Sequence, residues 1–123
     1  MGFAFTARTG GPEGGGATVH RAGDTVSLRG GVTLRVAVPT VYQLDPALPR
    51  PAVRVRLLRA ETDGRWTELA AGPEALAYTV TTAGAYRAEA LITPHHAAPY
   101  LPRFGRLVRE VPWVYSNVLR VAE

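Results

Sequence analysis

Apolar side chains in this sequence recur at every second position, in short segments that end at glycine, proline or Asp-Gly. The clearest segment is residues 32–38, in which the aliphatic side chains alternate with smaller or polar ones: Val32, Leu34, Val36 and Val38. A β-strand with one buried face produces this period of two. No segment of helical length shows a 3.6-residue period. The sequence therefore predicts an all-β protein.

Turn residues divide the chain into strands of similar, short length. Asp63-Gly64 is expected to close a hairpin between residues 53–57 and 66–69, and Gly72-Pro73 to turn the chain again. Short strands at this spacing are typical of an antiparallel sandwich. We predict an antiparallel immunoglobulin-like β-sandwich of seven to eight strands. At 123 residues the chain is expected to form one domain, residues 1–123.

A glycine turn before a tyrosine marks residues 81–90. In immunoglobulin-like sandwiches, a tyrosine at the head of a strand donates its hydroxyl back to the preceding corner. Tyr86 fits that position, with Ala88 where such domains often carry a cysteine. The same phase predicts that Tyr86, Ala88, Ala90 and Ile92 line the core.

The segment Val111–Val121 is predicted to be the closing strand. Read with period two, its odd-numbered large residues share one face: Trp113, Tyr115, Leu119 and Val121. We expect this face to be buried, with Trp113 in the core, and Arg120 to point to the other side.

Composition limits the classes of function. All 14 basic residues are arginine, the formal net charge is +4, and acidic residues interrupt the arginines, so nucleic-acid binding is not favoured. There is no cysteine for a disulfide or thiolate metal site, and no apolar run of membrane-spanning length. We expect neither nucleic acid nor membrane as a partner.

No residue pattern selects a catalytic or metal site. His95 and His96 are adjacent and would point in opposite directions in an extended chain, and His20 is distant in sequence. Ser27 and Ser116 lack the surroundings of a nucleophile. Carboxylates could be paired from Glu68, Glu74 and Glu89, but their spacing does not select them. We therefore expect no catalytic residue, no metal and no cofactor.

Exposed aromatic and arginine side chains are the candidate contacts. The long connection after residue 93, with Tyr100 and Arg103, is a candidate contact surface. An aromatic platform for sugars could include Trp66, Tyr42, Tyr100 and Trp113. We predict ligand or partner contacts at these residues: Trp66, Tyr100, Arg54, Arg56 and Arg103.

The outward arginines have two readings. If their strands adjoin in one sheet, they form a stripe that suits an acidic protein surface: Arg35, Arg54, Arg56, Arg87 and Arg120. The favoured reading is a solvated face whose charge discourages pairing with other strands.

Three segments resemble a known family. Gly2–Ala7, Gly84–Glu89 and above all Gly105–Asn117 are similar to the C-terminal β-sandwich of bacterial PHP-type (polymerase and histidinol phosphatase) metal-dependent phosphoesterase-like proteins. That domain often ends with a Pro-Trp-Ile-Tyr-Ser-Asn-Pro-Ile-Tyr-Val strand. Pro112–Asn117 follows this pattern, and Val118–Arg120 departs from it.

The resemblance implies an accessory role. In that family the metal-binding histidines and acids belong to an N-terminal hydrolase domain, and no residue here matches their motifs. The chain is then expected to be a non-catalytic domain, excised from a longer polypeptide, that packs beside the hydrolase domain or positions its substrate or partner. The alternative is a module that binds carbohydrate or another ligand through exposed aromatics.

Overall fold

The computed structural model describes residues 3–10, 18–41, 45–100 and 108–123, with residues 98–100 as backbone only. These residues form ten β-strands and a 3₁₀ helix at His95–Tyr100. The strands are β1 (Ala4–Thr9), β2 (Thr18–Arg21), β3 (Thr25–Ser27), β4 (Val32–Ala37), β5 (Ala52–Ala60), β6 (Trp66–Gly72), β7 (Leu76–Thr79), β8 (Gly84–Thr93), β9 (Val111–Tyr115) and β10 (Leu119–Ala122).

The strands build two sheets. One has the order β2-β1-β4-β7, and the other β3-β10-β8-β5-β6, with β9 also paired to β8. Neighbouring strands are antiparallel except β3 and β10, which run parallel. The all-β sandwich predicted from the alternation is confirmed, with ten strands rather than seven to eight.

The core lies between the two sheets. The four-stranded sheet contributes Phe5, Ala7, Val32, Leu34 and Val36, and the larger sheet contributes Val26, Val55, Leu57, Tyr86, Ala88, Ala90, Leu119 and Val121. Inward and outward residues alternate along β4, as the sequence predicted, because each strand offers every second side chain to the opposite sheet.

Tyr86 forms the predicted corner. Its side chain is buried, and its hydroxyl donates a hydrogen bond to the carbonyl of Thr82. Ala88 and Ala90 are fully buried in the same core, whereas Ile92, nearer the strand end, is only half-buried. Strand β8 lies between β10 and β5, the central position that this tyrosine's strand takes in immunoglobulin-like sandwiches.

The predicted burial of Trp113 is wrong. Trp113 and Tyr115 are 40% and 55% exposed, while Leu119 and Val121 are buried. Tyr115 pairs with Glu89 and Leu119 pairs with Tyr86, so four steps along the closing segment correspond to three along β8. The extra residue reverses the alternation between β9 and β10, because a one-residue shift turns every side chain to the other face.

Strand β1 lies inside its sheet, between β2 and β4. Gly23-Asp24 lies in a tight turn between β2 and β3, in which the Asp24 N–H donates to the carbonyl of Arg21 at 3.0 Å, and the two strands belong to different sheets. The turn at Asp63-Gly64 is confirmed, with Gly64 at a φ of 85° between β5 and β6. Among the described residues, no helix is long and apolar enough to cross a membrane.

Candidate functional site: a charged and aromatic sheet face

The outward side of β5, β6, β8 and β9 carries large charged and aromatic side chains. We call it the charged–aromatic face, and we define it by these residues: Arg54, Arg56, Leu58, Trp66, Glu68, Arg87, Glu89, Leu91, Trp113 and Tyr115. Along β5 and β8 these residues alternate with core residues such as Val55 and Ala88. Strand pairing places Arg56 beside Glu89 and Leu58 beside Arg87. Opposite charges on adjacent strands thereby come within contact distance.

Glu89 is the centre of the ion network on this face. Its side chain is only 2% exposed. One carboxylate oxygen accepts a hydrogen bond from Arg56 Nε at 2.6 Å, and the other accepts one from Arg87 Nη2 at 2.9 Å. A buried carboxylate needs such partners because its desolvation is otherwise costly. Glu89 therefore fixes two arginines at the middle of the sheet.

Arg54 forms the outer end of the network. Its Nε and Nη2 each donate to a carboxylate oxygen of Glu110 at 2.6 Å, a two-point contact. The hydrogen bonds from Arg54 hold the pKa of Glu110 below its ordinary value, and they raise the pKa of Arg54. Glu68 lies within 4.0 Å of both Arg54 and Arg56. The charges thus alternate along one continuous chain of side chains.

Arg87 also contacts two aromatic rings. Its guanidinium carbon lies 4.3 Å from the centroid of Trp66 and 5.6 Å from that of Tyr115. A guanidinium over a ring face at this distance makes a cation–π contact. Trp66 belongs to β6 and Arg87 to β8, so this contact spans the intervening strand β5. One face of the Trp66 ring is consequently covered by Arg87.

Two leucines are buried outside the sandwich core. Leu58 and Leu91 are each 4% exposed, yet they do not belong to the cluster between the sheets. Leu58 pairs with Glu68 on one side and with Arg87 on the other. The long side chains around Leu58 shield it with their aliphatic stems and rings. This face is therefore packed rather than open along β5 and β8.

Trp113 and Tyr115 of β9 are the exposed large apolar side chains of the face. Val114 pairs with Ala90 and Pro112 with Leu91, which leaves Trp113 without a partner in the register. A strand with such an extra residue bends locally. Val114 packs against the core, while Trp113 and Tyr115 on either side of it are exposed. An exposed tryptophan beside an exposed tyrosine offers stacking surface to a partner.

The structure brings together three of the predicted contact residues. Arg54, Arg56 and Trp66 lie on the charged–aromatic face, where all three already have intramolecular partners. The side chain of Tyr100 lies outside the described part of the structure, as do Arg103 and Tyr42. Sequence reasoning identified neither Glu110 as the partner of Arg54 nor Glu89 and Tyr115 as members of this face. The Arg-x-Glu spacing of Arg87 and Glu89 was a usable signal, but only once the neighbouring strand was known.

The hypothesis of one arginine stripe is wrong. Arg35 belongs to the four-stranded sheet, so it cannot line up with the arginines of β5 and β8. Arg54, Arg56 and Arg87 do share a face, but each one contacts a carboxylate. Arg120 is exposed on β10. The charged–aromatic face therefore presents little uncompensated positive charge.

Other polar residues have local structural roles. Ser116 accepts a hydrogen bond from the backbone N–H of Ala88 and donates one to the carbonyl of Asn117. His20 lies 3.3 Å from the Thr9 hydroxyl and 4.0 Å from Asp24. Across the described ranges, no three His, Cys, Asp or Glu side chains are grouped so as to hold a metal ion.

The fold and this face define an all-β sandwich with an exposed aromatic surface. No protein-family model matches the chain, and no curated protein or solved structure matches it either.

Proposed function

We propose that this chain is a non-catalytic accessory β-sandwich domain that binds a metal-dependent hydrolase domain of the same polypeptide through Trp113 and Tyr115. The exposure of these two side chains, 40% and 55%, is the observation that carries the proposal. Tryptophan and tyrosine dominate the energy of protein interfaces because each buries a large area with few rotatable bonds.

Two features support an interface at this place. The Arg56–Glu89–Arg87 network and the Arg87–Trp66 contact fix the surface behind β9 before any partner arrives. A preorganised surface loses little conformational entropy on binding. The resemblance of Gly105–Asn117 to the closing strand of PHP-associated sandwiches suggests the partner, because that segment contains both exposed aromatics.

The proposal is tested with the two domains as separate polypeptides. The gene's reading frame is expected to encode a hydrolase domain, and calorimetry is expected to show one-to-one binding. Trp113→Ala combined with Tyr115→Ala should weaken that binding by roughly thirtyfold or more. Arg29→Ala is the control, since Arg29 is exposed but lies in the turn between β3 and β4, outside this face. A reading frame without a hydrolase domain, or equal binding by the double variant, would refute the proposal.

The alternative function is carbohydrate binding by the same two aromatic residues. A sugar ring stacks its C–H face on an aromatic ring, and Glu110 and Arg54, although paired with each other, retain exposed polar atoms for its hydroxyls. Both side chains are about 40% exposed. Titration with soluble xylo- and cello-oligosaccharides, followed by tryptophan fluorescence, separates the two functions. A saturable change that Trp113→Ala abolishes would favour the sugar-binding module.

A further inference from the structure

Three exposed arginines lie on the outer face of the four-stranded sheet, on the side of the sandwich opposite the charged–aromatic face. They are Arg8 on β1, Arg21 on β2 and Arg35 on β4. Thr6 pairs with Arg21 on one side and with Arg35 on the other. Arg21 and Arg35 are therefore about 10 Å apart across the sheet, two strand spacings, and Arg8 is two residues along from Thr6. The three side chains form a triangle around Thr6.

These arginines differ from Arg54, Arg56 and Arg87 of the larger sheet in having no carboxylate partner among the described residues. Asp24 accepts a hydrogen bond from the backbone N–H of Arg21, and its carboxylate makes no ion pair with the guanidinium. Carboxylates compensate the arginine charges on the charged–aromatic face, whereas the charges of Arg8, Arg21 and Arg35 remain available to a partner.

The surface beside Arg35, on the side of β7, admits close approach. A depression of about 350 Å³ there is lined mostly by small side chains, namely Ala4, Thr6, Ala37, Ala75 and Ala77, together with Leu76. Val19 pairs with Arg8 and is 62% exposed, which adds an apolar contact at the edge of the same face. Arginines around small and apolar residues are the composition of a protein interface, in which arginine is enriched.

We propose that the outer face of the four-stranded sheet, centred on Arg8, Arg21 and Arg35, is a docking surface for an acidic protein segment. Each planar guanidinium can bind a carboxylate through two parallel hydrogen bonds. The alanines let the segment's backbone lie close to the sheet, and Val19 contacts its apolar side chains.

A protein segment suits this surface better than a nucleic acid. Three phosphate contacts would release only about three counterions, which gives a weak complex that salt readily dissociates. The lining of the depression includes no aromatic side chain on which a base could stack. The exposed Val19 also has no role against a phosphate backbone. The proposal does not depend on the hydrolase partner, because it concerns the opposite side of the sandwich.

An octaglutamate peptide is the probe, and amide NMR shifts of the ¹⁵N-labelled chain are the measurement. At low ionic strength we expect saturable shifts at Thr6, Thr33, Ala37 and Ala77, with none on β8 and β9. A variant with Arg8→Gln, Arg21→Gln and Arg35→Gln should bind roughly tenfold more weakly. All three side chains are exposed, so the variant should keep the parent's spectrum elsewhere.

A charge-matched variant is the control. Arg29→Gln, Arg50→Gln and Arg120→Gln remove the same charge from exposed positions outside this face, and they should leave the affinity within about twofold. Equal losses in the two variants would show that only net charge matters and would overturn the proposal. So would the absence of saturable shifts, or tighter binding of a short DNA duplex than of the peptide.

Discussion

The hydroxyl of Tyr86 donates a hydrogen bond to the carbonyl of Thr82 across a distance of 2.5 Å. The ring is buried in the core, so this contact joins the start of β8 to the turn that precedes it. Because side chains alternate along a strand, the inward direction of Tyr86 turns Arg87 and Glu89 outward. The candidate site is thus built on a core residue that it does not contain.

Removing this hydroxyl should lower stability. Tyr86→Phe keeps the ring in the core but leaves the Thr82 carbonyl without its donor, and we expect a loss of about 1–2 kcal/mol in the free energy of unfolding. Urea denaturation measures the loss. Tyr115→Phe is the control, because Tyr115 is 55% exposed, and its stability should equal that of the parent. An unchanged urea midpoint for Tyr86→Phe would contradict the corner's role.

Stability should fall at alkaline pH because of the same residue. Burial raises the pKa of Tyr86 above its ordinary value of 10.0. Above pH 10 the unfolded chain therefore loses this proton while the folded chain keeps it. The contribution of the protonated hydroxyl to the free energy of unfolding is complete below pH 10 and is lost as the pH rises through the pKa of Tyr86 in the folded chain. The chain has no lysine or cysteine to titrate in the same range.

Urea denaturation across the alkaline range tests this prediction. The free energy of unfolding of the parent should decrease above pH 10, and that of Tyr86→Phe should decrease less steeply. Parallel curves for the two proteins would show that another group is responsible.

Glu89 should be the most sensitive charged residue of the charged–aromatic face. Glu89→Gln removes the charge that two arginines share, in a site only 2% exposed, and we expect a loss of about 2–4 kcal/mol in the free energy of unfolding. The matched control is Glu68→Gln, whose side chain is 46% exposed and lies 3.9–4.0 Å from its arginines. That change should cost less than about 1 kcal/mol. Equal urea midpoints for the two variants would be inconsistent with the network described.

Truncating the two faces of the closing segment should have unequal effects. Leu119→Ala opens a cavity in the core and should cost about 2–5 kcal/mol. Trp113→Ala removes a side chain that is 40% exposed, and we expect a smaller loss, of about 1 kcal/mol. Urea denaturation of both variants gives the ranking. A larger loss of unfolding free energy for Trp113→Ala than for Leu119→Ala would instead support the core position that the sequence predicted for Trp113.

The pairing of Arg54 with Glu110 should be visible in the titration of the acid. Arg54→Gln removes the two hydrogen bonds that lower the pKa of Glu110, so this pKa should rise towards its ordinary value of 4.5. Carboxyl-carbon NMR shifts measured against pH follow the change. Glu61 is the internal control, because hydrogen bonds from Thr67 and Arg59 lower its pKa, and Arg54 takes no part. An unaltered Glu110 titration would exclude the contact in solution.

Much of the fold could be predicted from local patterns. The alternation in residues 32–38 gave β4 and its buried side, because the period of two depends only on the strand's own geometry. The glycine turn before Tyr86 gave the corner for a similar reason, since donor and acceptor are four residues apart. Both features involve residues that are close in sequence.

The candidate site could be predicted only in part. Arg54, Arg56 and Trp66 were identified as outward residues, but their partners Glu110, Glu89 and Arg87 are 56, 33 and 21 positions away. Such pairs depend on which strands adjoin, which no local pattern specifies. For the same reason, the sequence could not show that Arg35 belongs to a different sheet from the other arginines of the hypothetical stripe.

The sequence by itself determined an all-β chain, the core side of β4 and the corner at Tyr86, because these follow from the geometry of single strands and turns. Only the tertiary structure decided that Trp113 and Tyr115 are exposed while Leu119 and Val121 are buried. The reason is the extra residue between Tyr115 and Leu119, which is defined only by the pairing of both strands with β8. Tertiary pairing likewise brought Arg54, Arg56 and Arg87 to carboxylates of the described residues and placed Arg35 on the other sheet, away from them.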